Sequence, residues 1–131
     1  MKIDFRLMGP AARLLMSIIF LLSGFGKLTG AAAIQGYMEH YGVPGVLVWP
    51  AAAFEIGSGV LLVAGYQLRP LAILLSGWCL LTAAIFHHEF SDQMQMINFL
   101  KNLTMAGGFL LLARSGAPDF GVDGLTAQKR D

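Results

Sequence analysis

The sequence is short of charge. Only 13% of its 131 residues are Asp, Glu, Lys or Arg, while 56% are apolar. A water-soluble domain of this size exposes too much surface to be covered by so few charged groups. It is also short of cysteine. A single thiol, Cys79, excludes an internal disulfide and any relay that needs a CxxC pair. Neither sign of charge is in excess, and a net charge of +1 gives no case for nucleic acid as a partner. No haem, flavin, iron–sulfur or spaced metal-ligand signature is present. No internal repeat or low-complexity tract is visible.

What the sequence does have is long apolar runs. Four segments stand out, at about residues 11–30, 46–66, 70–88 and 95–113. A helix needs roughly 20 residues, at about 1.5 Å each, to cross a hydrocarbon core of roughly 30 Å. All four qualify when Arg and Lys at the margins snorkel toward water. The reading is all-α: a four-transmembrane-helix bundle forming one membrane domain over 1–131, in contact with the lipid bilayer. The first segment also has features of a secretory signal, because Lys2, Arg6 and Arg13 precede an apolar run and Ala31-Ala32-Ala33 follow it. Lys27, lying between the run and those alanines, favours a retained helix.

Punctuation agrees with four spans. YGVPG (41–45) is a turn, GYQLRP (65–70) is a tight hairpin, and HHEFSDQMQ (87–95) is a polar link. Tyr37, Tyr41 and Trp49 fall near one interface. The tail from 114 to 131 reads as a mostly irregular cytoplasmic end. With four spans, the N-terminus, the second connection and the C-terminus share a side. That side holds Lys2, Arg6, Arg13, Arg69, Arg114, Lys129 and Arg130, seven of the nine basic residues. The positive-inside rule then places both termini in the cytoplasm.

Polar residues inside the spans raise the functional question. Lys27 lies roughly 5 Å from the outer end of the first span and Glu55 roughly 13 Å into the second. Side chains lean toward a helix N-terminus, so in antiparallel helices these two lean toward one another. Arg13, Ser17, Phe20, Gly24 and Lys27 recur at three- and four-residue steps, as do Ala52, Glu55, Ser58 and Gly59. Asn98, Lys101 and Asn102 share a face of the fourth span. The expected arrangement sets Glu55 between two cations, among these amides, with His87 and His88 as an interfacial cap. Two readings stand side by side: a ligand site with Glu55 as proton carrier, or an ion pair that locks helix packing. His88 with Asp92 is too sparse a set for a metal, and Cys79 reads as a packing residue.

RLLMSIIFLLSGFGKLTG, EIGSG and NFLKNLTMAGG together resemble the DoxX family of small bacterial membrane proteins. The resemblance runs from about residue 11 to 124 and takes in the GVDG of the tail. It implies a four-helix membrane protein, in a family whose members usually have no assigned function. Some relatives are named as membrane subunits of thiosulfate:quinone oxidoreductases, and others accompany redox enzymes. The positions it carries over are Lys27, Glu55, Lys101 and Asn102. The function expected is a quinone-linked membrane subunit of a redox system. Quinone would be its cofactor, held among Lys27, Glu55, Asn98, Lys101 and Asn102. A soluble or membrane redox partner would supply electrons, and the subunit alone would have no activity. Self-association into a homo-oligomer fits the same reading. The alternative is a non-enzymatic anchor or assembly subunit. A solute pathway ranks last, because four helices leave little room for a pore.

The topology makes a direct prediction. In a Cys79→Ala background, a cysteine replacing Asp92 should react with an impermeant thiol reagent in intact cells, and one replacing Gln128 should not. Reversed labelling would overturn the charge-based orientation.

Overall fold

The computed structural model describes residues 2–130 and is helical throughout, with no strand among the described residues. Helix α1 runs Met8–Thr29, α2 Ala31–His40, α3 Val48–Ala64, α4 Leu68–Phe86, α5 Gln93–Ser115 and α6 Val122–Gln128. Short 3-10 turns, Phe5–Leu7 and Gly45–Leu47, lead into α1 and α3. Four stretches are long and apolar enough to cross a membrane: Phe5–Thr29, Gly45–Ala64, Leu68–Phe86 and Gln93–Ser115. They match the four expected spans, with ends shifted by a few residues.

Two compact units divide the chain. The first joins everything up to Leu68 with the segment from Gly116 onward, and the second is Arg69–Ser115. In the first unit, α1 packs chiefly on α3. The buried positions of α1 are Arg13, Ser17, Phe20 and Gly24, the stripe expected from the sequence. Those of α3 are Val48, Ala52, Glu55, Ser58, Gly59 and Leu62. The helices are antiparallel. Gly24 lies against Ala52 and Ile56, whereas Gly59, further along α3, lies against Leu21, earlier in α1.

Gly24 is what lets the backbones approach. A Cβ there would stand 2.6 Å from Ile56 Cγ1 and 3.1 Å from the Ala52 carbonyl oxygen. Within a membrane there is little hydrophobic drive between helices, so close van der Waals contact through small residues carries much of the association. Outward-facing Leu14, Leu15, Ile18 and Leu22 are correspondingly exposed, as a lipid-facing surface requires.

The second unit is the hairpin of α4 and α5. Ser76 Oγ, buried, donates to the Ala106 carbonyl at 3.0 Å. Arg69, one residue into α4, donates to the carbonyls of Ala113 at 3.1 Å and Arg114 at 2.6 Å. These are last-turn carbonyls that α5 leaves without helical partners. The start of α5 is capped by Asp92, whose Oδ1 accepts from the Met94 amide at 2.9 Å.

Two elements differ from the sequence reading. Residues 31–40, which no apolar pattern singled out, form α2. The tail, expected to be irregular, forms α6 and returns to the first unit. Its contacts bring the start of α1, the α3–α4 turn and the C-terminal segment to one end of that unit. This is the shared side that the four-span count requires.

Gly24→Ala should lower the thermal midpoint in detergent by the equivalent of about 1–3 kcal/mol, the usual cost of overpacking. Gly57→Ala is the control, because a Cβ there has nothing within 4 Å and replaces a poor helix former. Equal melting of the two variants would show that α1 and α3 do not meet at Gly24.

Candidate functional site

An ion pair sits in the packed seam of the first unit. Lys27, one turn from the end of α1, is carried by the same helical stripe that buries Gly24. Its Nζ donates to Glu55 Oε2 at 2.9 Å and to Ser23 Oγ, one turn earlier in α1, also at 2.9 Å. Glu55 belongs to the buried face of α3, between Ala52 and Ser58. Its side chain is 7% exposed, and that of Lys27 17%. The lean of both side chains toward their helix N-termini is what closes the distance between antiparallel helices.

The asymmetry of exposure decides the chemistry. Glu55 is out of water, so its charge is tolerable only with a cation and hydrogen bonds close by. Lys27, whose side chain is itself only partly exposed, supplies both. An ammonium has three N–H donors, and the contacts to Ser23 and Glu55 occupy two. A carbonyl or phosphate oxygen arriving from outside would meet a positively charged donor backed by a carboxylate. The arrangement can therefore bind a polar head group and hold a proton next to it.

Ser23 was not among the candidate residues. The signal for it is its place four residues before Lys27, where helix geometry makes the two neighbours. Ser17, on the same stripe, donates instead to the Leu14 carbonyl at 2.7 Å. Ser58, predicted on the buried face of α3, is 4% exposed.

The other candidates lie in the second unit. Asn98 and Asn102 are half-buried on α5, and Asn102 Nδ2 donates to the Asn98 carbonyl one turn earlier at 2.9 Å. Lys101 is exposed on the same helix. His87 is half-buried, and His88 is exposed with Nδ1 at 3.1 Å from the Ala84 carbonyl oxygen. Asp92, considered with His88, caps α5. No group of three or more His, Cys, Asp and Glu side chains is gathered among the described residues in a way that would hold a metal ion. Cys79 is buried in α4 at 1% exposure, the packing position expected of it.

The DoxX family model matches residues 10–88, a range that includes Lys27 and Glu55. The chain is 42% identical over 118 residues to the inner membrane protein YqjF of Escherichia coli K12, covering 90% of this chain and 91% of the relative. It is 37% identical over 119 residues to the inner membrane protein YphA of the same organism, covering 86% and 85%. No solved structure matches. With four helices of spanning length, the chain is a multi-pass inner-membrane protein. The family match and the two relatives lead to one assignment: the chain belongs to the DoxX family.

Proposed function

We propose that the Lys27–Glu55 pair binds the head group of a quinone, and that the protein is a quinone-linked membrane subunit of a bacterial redox system. The observation that carries this reading is a buried carboxylate paired with a part-exposed lysine, two of whose three N–H donors are used within the protein. A quinone ring needs hydrogen-bond donors at its carbonyl oxygens and an apolar surface for its tail. Lys27 supplies the first. The exposed leucines and isoleucines of α1 supply the second. Reduction to the quinol takes two electrons and two protons. The electrons come from a redox partner protein, and Glu55 relays protons to the quinone oxygen. Asn98, Lys101 and Asn102 offer a further set of polar donors on α5, and His87 and His88 lie at the end of α4 where protons can exchange with water. The protein alone turns nothing over. The resemblance to a family with members in thiosulfate:quinone oxidoreductases supports the same class.

A second reading has its own support. The pair flanks the contacts that Gly24 makes with Ala52 and Ile56, so it also serves as a packing lock in a membrane anchor or assembly subunit for a partner. Removing one member of a buried pair costs roughly 3–5 kcal/mol in soluble proteins and less in lipid, where unfolded helices find other partners.

The two readings separate when the protein is purified in mild detergent and its extracted lipids are analysed. Wild type should carry quinone, or bind added short-chain ubiquinone, at close to one per chain. Glu55→Gln, which keeps shape and hydrogen bonding, should fold yet lose proton-coupled reduction in the presence of the partner. Lys27→Met with Glu55→Gln should restore the stability that Lys27→Met alone removes while leaving quinone binding lost. A wild type that neither carries nor binds quinone, but retains a stoichiometric partner protein, would overturn the quinone reading in favour of the anchor.

A further inference from the structure

The C-terminal segment is tied to the first unit chiefly by polar contacts, with the small Ala117 its buried apolar side chain. Arg13 Nη2 donates to the Phe120 carbonyl at 2.9 Å. The Asp123 carboxylate accepts the amides of Gln67 and Leu68, each at 2.8 Å. The Asp123 amide donates to the Gly65 carbonyl at 3.0 Å. At the rim, Arg6 Nε meets Asp119 Oδ1 at 3.3 Å, and the Arg6 guanidinium lies 5.0 Å from the centre of the Phe120 ring. The large side chains of α6 add little, since Val122 is 36% and Leu125 61% exposed.

Beneath the segment lies Arg13, 2% exposed, with Nη1 lacking a hydrogen-bond partner among the described residues. Nη1 is walled in by glycines. Gly65 has φ +68°, and a Cβ on it would collide with Nη1, while a Cβ on Gly121 would stand 2.9 Å from it. Undocking the segment would bare this guanidinium.

The docked state is also strained. Among the described residues, the non-glycine positions with positive φ are Gln67 and Phe120, both at +50°. Both belong to the docking contacts: the Gln67 amide is held by Asp123, and the Phe120 carbonyl by Arg13. A left-handed backbone is unfavourable for residues with side chains and persists where the surroundings impose it. Few apolar contacts, strained backbone and a handful of hydrogen bonds are the marks of a segment that opens without the rest of the fold.

We propose that residues 116–128 form a reversible strap, closed by Asp123 on the α3–α4 turn and by Arg13 on Phe120. When closed it seals the buried guanidinium, and when open it uncovers Arg13 and the Gly65 turn. Asp123 is the positioning residue of the device, because its one carboxylate holds two amides of the turn.

Limited chymotrypsin digestion of the full chain in mild detergent, followed by the mass of the fragment released by cleavage after Phe120, measures the open population when reclosing is fast. Wild type should be cut there slowly but well below its melting temperature. Asp123→Ala should be cut roughly tenfold faster, as expected for a lost capping carboxylate. Asp123→Asn, with one acceptor kept, should fall between them. Gln128→Ala, an exposed change on the same helix, should match wild type. The tryptophan-monitored melting of all three variants should stay near that of wild type. Equal cleavage of wild type and Asp123→Ala would show that Asp123 does not close the strap. Cleavage that begins only with global melting in every variant would show a fixed part of the fold.

Discussion

An ionised side chain inside a membrane-spanning helix has no water to stabilise it, so it must find an opposite charge or oriented dipoles within reach. In the first unit this requirement fixes two places on α1. At one end, Lys27 reaches Glu55 and Ser23. At the other, Arg13 is sealed under the C-terminal segment. Between them run Ser17, Phe20 and Gly24, the positions that α1 buries. The close approach at Gly24 and the charge contacts at either end reinforce one another. The pair forms where it does because the backbones are near, and the register is held because a slip of one residue would strand a charge.

The two ends differ in what their charge can do. Arg13 is enclosed by glycines and a backbone carbonyl, with its charge spread over a rigid planar group that does not deprotonate. Such a group suits a fixed anchor for a docking segment. Lys27 and Glu55 are two groups that exchange protons, held in direct contact, and the lysine side chain is partly exposed. On the proposals made above, one end of the α1–α3 seam serves as a latch and the other as a site. Both rest on the same physical rule.

Much of this was legible in the sequence, and the residues show why. Four spans follow from composition and run length, since a helix satisfies its own backbone in lipid and about 20 consecutive apolar residues are what it needs to cross. The buried stripe of α1 was legible because a polar residue that faces the seam interrupts lipid-facing apolar residues at helical spacing. Lys27 and Glu55 came together for the same reason, aided by the lean of helical side chains. The short helices were not legible. α2 is ten residues long and begins with three alanines, and α6 is seven residues long. Asp123 reaches Leu68 across 55 positions of chain, and no local pattern reports a tertiary cap. Nor does any local pattern report that a Cβ on Gly121 would crowd the Arg13 guanidinium and the Ala117 side chain, or that one on Gly124 would meet the Pro118 carbonyl.

The central claim is a direct contact between the Lys27 ammonium and the Glu55 carboxylate in the folded protein in lipid. Solid-state rotational-echo NMR on protein carrying 15Nζ-lysine and 13Cδ-glutamate measures that contact without altering the site. A dipolar coupling matching the 2.9 Å hydrogen bond, abolished in Lys27→Met and in Glu55→Gln but kept in Lys101→Met, is the predicted result. The absence of any lysine–glutamate coupling in the intact protein, or its survival in Lys27→Met, would contradict it.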